Sequence, residues 1–202
     1  MQAVESQTLI LYHSDLRGQW PQEAARALAA RLPYGKRLQV AAHAARPCAT
    51  LTGVALALRA LSRLAGVPVG AADLVFPDGG KPRLAPATAA GAAGADFSIS
   101  HSGPWVGCAA VARGRVGFDL EEGSEARLAQ WTAREAALKA CGAGITAARD
   151  VELHAGGARC RGVELAATTL GVFPGAVACV MTSVPVGAVD AHALALAELF
   201  AP

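Results

Sequence analysis

Apolar and polar residues follow two different periods along this chain, and these periods predict its strands and helices. Strict alternation in FSIS predicts a strand over 97–100, with Phe97 and Ile99 on one face and two serines on the other. Other short apolar or alternating runs predict further strands, which cover 8–14, 73–76, 105–112, 115–121, 151–154, 160–165, 176–183 and 191–196.

Helical spacing of apolar residues predicts three helices, over 21–32, about 46–64 and about 125–142. The third has a possible N-cap in Ser124 and a stop signal in Gly142. One stripe of this helix is predicted to face the interior, and it contains Leu128, Trp131, Glu135 and Leu138.

The order of these elements predicts an α+β fold rather than alternating βαβ units. Helices and strands occur in both parts of the chain, and Gly114 separates two adjacent strands. We therefore expect two halves, 1–114 and 115–202, each with a helix packed on a small, mostly antiparallel sheet.

Composition narrows the function classes. A hydrophobic content of 53% with 17% charged residues is typical of a folded globular protein. The net charge is +2 and no basic run occurs, so nucleic-acid binding is not expected. The five cysteines are scattered and form no CxxC pair, and no signal peptide is evident, which together favour a reducing cytoplasm.

The segment 165–189 carries no charged residue and is the one membrane candidate. A spanning helix needs about 20 predominantly apolar residues. Glycines and prolines interrupt this segment repeatedly, so two buried strands joined by turns are the better prediction, and no membrane association is expected.

Two carboxylates fall on the same face of the predicted strand VGFDLE. Asp119 and Glu121 are two residues apart, about 7 Å along a strand. They could hold a divalent cation such as Mg²⁺, or they could be solvated acids on an exposed edge strand. The strand pattern leaves both interpretations open.

A third carboxylate, Glu135, lies among apolar residues on the predicted helix stripe. Burial of a carboxylate is costly unless it is paired or binds a metal. Lys139 follows four residues later, so both side chains project to the same region. An ordinary surface ion pair is the alternative.

The Ser-His-Ser triplet at 100–102 does not have the pattern of a hydrolase. It lacks a G-x-S-x-G elbow, and adjacent residues of a strand point to opposite sides. His101 could bind an anion, or it could satisfy a turn carbonyl, and spacing does not separate these roles.

Four motifs in order, GKP, FSISHSGPWV, VGFDLE and WTAREAALKACG, resemble those of the 4′-phosphopantetheinyl transferase superfamily. The closer resemblance is to its larger, surfactin-synthetase-activating type, in which a monomeric chain contains two similar halves with the active site between them. The resemblance covers about residues 35 to 145. It implies transfer of 4′-phosphopantetheine from coenzyme A to a serine of an apo acyl or peptidyl carrier protein.

The resemblance also implies roles for individual residues. Asp119, Glu121 and Glu135 match the carboxylates that bind Mg²⁺, with Mn²⁺ as an alternative ion. Glu135 is further expected to accept the serine proton, and Lys139 matches the lysine that contacts the transferring phosphate. The residues expected to contact coenzyme A are Lys36, Arg37, Thr50, Lys81, Ser100 and His101.

The chain departs from this family in two places. Arg134 stands where the family usually has a lysine, and a supporting role is expected for it. Only residues 123–130 separate the metal strand from the catalytic helix, so the flap that helps to receive the carrier protein is shortened. A non-catalytic homologue that binds coenzyme A or a carrier protein is therefore the alternative function.

Overall fold

Two main β-sheets and three α-helices of at least ten residues form most of the described part of this computed structural model, which comprises residues 5–33, 35–37, 48–78, 80–85, 92 and 94–201. The strands are β1 (Gln7–Asp15), β2 (Leu74–Val75), β3 (Arg83–Leu84), β4 (Asp96–Ser102), β5 (Trp105–Val111), β6 (Val116–Glu122), β7 (Val151–His154), β8 (Gly157–Cys160), β9 (Val163–Leu170), β10 (Ala176–Thr182) and β11 (Val186–Ala193). The helices are α1 (Gln22–Arg31), α2 (Ala49–Ala65), α3 (Ala126–Ala140) and the short α4 (Leu196–Leu199).

The first sheet has the strand order β11-β1-β5-β4 and the second has the order β6-β10-β9-β8-β7. All neighbouring strands in these sheets are antiparallel except β1 and β11, which are parallel. A small hairpin, β2-β3, stands apart. The predicted α+β class is thereby confirmed.

Three groups of buried apolar residues hold these layers together. In the first group, α1 and α2 pack on one face of the first sheet, with Leu51, Leu56 and Leu61 fully buried. In the second, the two sheets contact each other through side chains such as Leu11 and Phe118. The third group packs α3 on the outer side of the second sheet.

Helix α3 approaches the second sheet closely at Gly117 of β6. A Cβ atom on Gly117 would lie 1.8 Å from the carbonyl oxygen of Ala136 and 2.3 Å from the backbone nitrogen of Ala140. Only a glycine permits this contact, because any side chain would collide with the helix backbone. The close contact brings the α3 side chains up to β6.

The third helix differs from its prediction in two respects. It begins at Ala126, so its N-cap position is Glu125 and not the predicted Ser124. Glu125 makes no side-chain capping hydrogen bond. Trp131 is 40% exposed, so its predicted place in the interior is also wrong. The buried residues of this helix are Thr132, Ala136, Ala137, Leu138 and Ala140.

The uncharged segment 165–189 folds largely as the strands β9 and β10, as the sequence predicts. No helix within the described ranges has the length and apolar character needed to cross a membrane. The predicted strand over 191–196 is wrong at its end, because β11 stops at Ala193 and Leu196 begins α4. The predicted start of the second helix near Arg46 lies outside the described residues.

The division of the chain at residue 114 stays a prediction. The crossing from β5 to β6 at Gly114 does separate the first sheet from the second. However, β11 returns to the first sheet, where Thr8 to His13 pair with Ala188 to Ala193. A strand of the predicted C-terminal half thus pairs with a strand of the predicted N-terminal half.

Candidate active site

Three carboxylates from two elements converge at the edge of the second sheet. Asp119 and Glu121 extend from β6, and Glu135 extends from α3. One oxygen atom of each lies within 4.8 Å of one oxygen of the other two. The structure therefore brings together all three residues that the motifs suggested as metal ligands.

Asp119 is buried, with 2% of its surface exposed. Its Oδ1 atom accepts hydrogen bonds from Ser100 Oγ at 2.7 Å and from Lys139 Nζ at 2.6 Å. Its Oδ2 atom has no hydrogen-bond partner among the described residues. A buried carboxylate oxygen without a partner is costly, and a bound cation would satisfy it.

The pKa of Glu135 is also consistent with a cation-binding site. Burial raises the pKa of Glu135, and the neighbouring Asp119 carboxylate raises it further, while Lys139 opposes this rise. Carboxylates that share a site repel each other in their charged forms, and a cation between them relieves the repulsion. The cluster thus has oxygen donor atoms and a negative charge that could hold a divalent cation.

Strand β4 runs beside β6 and contacts it through every second side chain. Asp96 Oδ2 accepts from the Val116 amide at 2.8 Å, and Ser98 Oγ makes a long contact of 3.5 Å to the Phe118 carbonyl. Further along, Ser100 donates to Asp119, and Ser102 donates to Glu121. We call these four β4 residues, with their β6 partners, the polar seam.

A cleft of about 350 Å³ lies between α2, the end of α3 and strand β4. Four of the six residues expected to contact coenzyme A line it, together with Lys139, and they are Lys36, Thr50, Lys81 and His101. A larger cavity of about 540 Å³ lies between α1, α2 and the C-terminal residues, and none of the predicted site residues lines it.

The cationic groups of the cleft are partly engaged by the protein. Lys81 forms a short ion pair with Asp96 and donates to the Val116 carbonyl at 2.6 Å. Burial lowers the pKa of Lys81, and Asp96 opposes this change. The Lys36 ammonium lies 5.3 Å from the centre of the Phe76 ring, and burial lowers its pKa.

His101 lies at the end of β4, on the cleft side. Loss of solvent lowers its pKa, and the positive charge of Lys139 lowers it further, although Asp119 and Glu121 oppose the change. A neutral imidazole can still donate one N–H to an anion. The geometry therefore permits the anion-binding role without requiring a charged histidine.

Two predicted contacts with the coenzyme are not brought into the cleft. Arg37 donates to the Leu32 carbonyl at 3.3 Å and is not among the residues lining the cleft. Ser100 lies beneath the cleft, between Asp119 and Lys139. Arg134 donates to the carbonyls of Ala148 and Val151, and so it ties α3 to the start of β7.

Sequence reasoning missed Asp96 and Ser102. Both continue the alternation of FSIS, since positions 96, 98, 100 and 102 are all polar and share one strand face. Extending the strand by one residue before Phe97 and two after Ser100 would have found them.

Comparison with known proteins gives no family: neither a scan against protein-family models nor a search of curated proteins returns a match to this chain. A carboxylate cluster suited to a divalent cation, next to a cleft lined by lysines and a histidine, can bind a phosphate ester and stabilise charge that develops on it.

Proposed function

We propose that this protein is a holo-carrier-protein synthase, which transfers 4′-phosphopantetheine from coenzyme A to a serine of an acyl or peptidyl carrier protein. The observation that carries the proposal is the position of Lys139, which contacts the carboxylate cluster through Asp119 and also lines the cleft that contains Lys36, Lys81 and His101. The ordered motifs add to this support, and we extend the proposal to the two-half arrangement of that family.

In the proposed reaction, the carrier serine oxygen attacks the β-phosphorus of coenzyme A. A new phosphorus–oxygen bond forms, and the bond from this phosphorus to the bridging oxygen of the pyrophosphate breaks. Adenosine 3′,5′-bisphosphate leaves with the bridging oxygen, and the serine proton passes to a base. The phosphopantetheine arm remains on the carrier as a phosphodiester.

The ammonium group of Lys139 has a third N–H donor that could bind the transferring phosphate. An ammonium group has three N–H donors. Lys139 gives one to Asp119 and one to Ser100, at 2.6 and 2.9 Å, and no further hydrogen bond of its ammonium is formed with the described residues. We propose that the third donor binds a phosphate oxygen and stabilises its negative charge in the transition state.

Glu135 is the proposed base. In the absence of a bound metal, burial and the Asp119 carboxylate raise the pKa of Glu135, which makes it a stronger base than an exposed glutamate. Mg²⁺ bound by Asp119, Glu121 and Glu135 would supply positive charge to the pyrophosphate. The unpartnered Asp119 Oδ2 supports such a ligand set.

The first test is incubation of the protein with coenzyme A, Mg²⁺ and a panel of apo carrier proteins, followed by intact-mass measurement of each carrier. A gain of one phosphopantetheine on at least one carrier is expected. Glu135→Gln should reduce the rate by about 10²- to 10⁴-fold. The matched control is Glu152→Gln, because Glu152 is exposed on β7 and should leave the rate unchanged.

Failure of transfer to every carrier in the panel would contradict the proposal. Binding of coenzyme A by a protein that transfers to none of them, unaffected by Glu135→Gln, would instead support the non-catalytic alternative. Calorimetric titration with coenzyme A separates these two outcomes.

A further inference from the structure

Ser102, the last residue of β4, uses its hydroxyl group as both donor and acceptor. Its Oγ atom donates to Glu121 Oε2 at 2.9 Å and accepts from the Glu122 amide at 3.1 Å. The backbone amide of Glu122 thus fixes the position of the hydroxyl oxygen, and this directs its proton to Glu121. Ser102 belongs to the first sheet, whereas both of its partners belong to the second.

The two β6 carboxylates are anchored unequally. Asp119 is buried and accepts hydrogen bonds from Ser100 and Lys139. Glu121 is only partly buried, and Ser102 is the one hydrogen-bond donor to its side chain among the described residues. A glutamate has three rotatable side-chain bonds, so an unanchored Glu121 would lose more conformational entropy when it bound a cation.

The hydrogen bond leaves a ligand atom available. Ser102 donates one hydrogen bond to Oε2 of Glu121, whereas a carboxylate has about four acceptor sites. One oxygen of Glu121 also lies within 4.8 Å of an oxygen of Asp119 and of Glu135. Hydrogen bonds from outside a metal site orient the ligands in this way, and their loss typically weakens metal binding by about 10- to 100-fold.

We propose that Ser102 is a positioning residue, which holds the Glu121 carboxylate in the cation-binding arrangement and so sets the affinity of the site for a divalent metal ion. This inference deepens the proposed function and rests on it for the role of the metal in transfer. It concerns the binding of the metal ion alone and can be tested without coenzyme A or a carrier.

The test is titration of the full chain with Mn²⁺, with the free ion measured by electron paramagnetic resonance. Ser102→Ala should weaken binding by about 10- to 100-fold. Ser102→Thr keeps the hydroxyl group and should restore most of the affinity. The control is Ser183→Ala, because Ser183 also accepts from a backbone amide, that of Arg115 at 2.8 Å, but lies outside the cluster.

A double-substitution cycle separates positioning from a general structural effect. If Ser102 acts through Glu121, then Ser102→Ala should cost little further affinity in a Glu121→Gln background. Additive losses from the two substitutions would overturn the inference. Thermal unfolding with a chelator present should differ little between Ser102→Ala and the wild-type protein.

Two other results would also overturn the inference: wild-type affinity for Mn²⁺ in Ser102→Ala, or a wild-type protein that binds no Mn²⁺. If Ser102→Ala does not fold, Ser102→Cys carries the same test, since a thiol is a weaker donor of similar size. The proposed function fails separately, when Mn²⁺ binds as expected but no carrier is modified. Where transfer occurs, Ser102→Ala should raise the metal concentration needed for half-maximal rate more than it lowers the rate at saturation.

Discussion

The two sheets of this protein contact each other in two chemically different ways. On one side they pack through an apolar interface, made by Leu9, Leu11, Ala109, Val111, Val116, Phe118, Leu120, Leu170, Phe173, Ala178 and Val180. At the edge, β4 and β6 instead meet through the polar seam, in which serine and aspartate side chains bond in sequence to β6. Both contacts involve the same strand β6: the side chains of Val116, Phe118 and Leu120 pack in the apolar interface, whereas the side chains of Asp119 and Glu121 bond to the seam. The backbone of Val116 and Phe118 also bonds to the seam.

The difference between these contacts separates stability from positioning. An apolar contact contributes free energy in proportion to the area buried and sets directions only loosely. A hydrogen bond contributes about 0.5–1.5 kcal/mol net, but it fixes a distance and an angle. We therefore expect the apolar interface to supply most of the stability and the seam to set the geometry of the carboxylates.

Truncation of Phe118 is expected to give the largest effect on stability. Phe118 is fully buried, with its ring 5.9 Å from that of Phe173 and packed over Gly107. Phe118→Ala should lower the free energy of unfolding by about 3–5 kcal/mol, because it leaves a cavity between the sheets. Urea denaturation measures this change.

The control for this substitution is Val189→Ala, at a side chain that is 39% exposed. It should change the free energy of unfolding by no more than about 0.5 kcal/mol. If Phe118→Ala cost as little, the apolar interface would not be the main source of stability, and the comparison would fail.

The sequence predicted β4 and its two faces because alternation is a local property of the chain. Phe97 is buried towards α2, and Ser98 and Ser100 face β6, as FSIS indicated. The local sequence does not indicate which strand the polar face of β4 contacts. The seam depends on β4 lying next to β6 of another sheet, and no pattern within either strand encodes that pairing.

The rotation of α3 shows why a helical stripe can mislead. The prediction placed the large residues Trp131 and Leu138 inside, but Trp131 is exposed. The helix backbone comes so close at Gly117 that mainly alanines fit between helix and sheet. Helical spacing nevertheless placed Glu135 and Lys139 on neighbouring turns of the same side of the helix. The site residues were therefore identified from the sequence, although the predicted burial of Trp131 was wrong.

The bounds of the last strand were predicted wrongly for a different reason, because the prediction covered 191–196 and β11 is Val186–Ala193. β11 pairs in parallel with β1, which lies almost the whole chain away in sequence. Its side chains alternate only weakly in burial, and the apolar residues Leu194 and Leu196 belong to the segment after β11 and to α4. Apolar residues that pack on the core from a connecting segment or a short helix have the same sequence pattern as those of a strand.

The next largest effect is expected at the start of the polar seam. Asp96 accepts from Lys81 and from the Val116 amide, and the side chains of the ion pair are only 22% and 16% exposed. Asp96→Asn keeps the shape but removes the charge that stabilises the Lys81 ammonium. We expect a loss of about 1–3 kcal/mol in the free energy of unfolding, less than for a fully buried pair because some solvent reaches both groups.

A solvent-exposed ion pair provides the control for Asp96. Asp150 pairs with Arg161 at 3.0 Å, and their side chains are 46% and 52% exposed. Asp150→Asn should cost at most about 1 kcal/mol, as is usual for surface pairs. Equal losses in the two variants, measured by urea denaturation, would mean that the seam is no stronger than a surface contact.

The smallest expected effect tests the apolar interface through a neighbouring histidine, His13. The ring of His13 lies 5.0 Å from that of Phe173, and burial lowers the pKa of His13 below its usual value of 6.5. The unfolded chain therefore binds a proton at this histidine at a higher pH than the folded protein does. Stability from the neutral ring is complete above pH 6.5 and is lost as the pH falls towards the lower, folded-state pKa.

His13→Leu removes this titration and keeps an apolar side chain against Phe173. The free energy of unfolding of the wild-type protein should decrease relative to that of His13→Leu between pH 7 and pH 5. Because carboxylates such as Glu135 titrate in both proteins, their contribution cancels in the difference. A difference that stays constant over this range, or that grows in favour of the wild-type protein, would show that the apolar interface tolerates a charge at His13. The chemical contrast between the apolar interface and the polar seam would then be weaker than their side chains indicate.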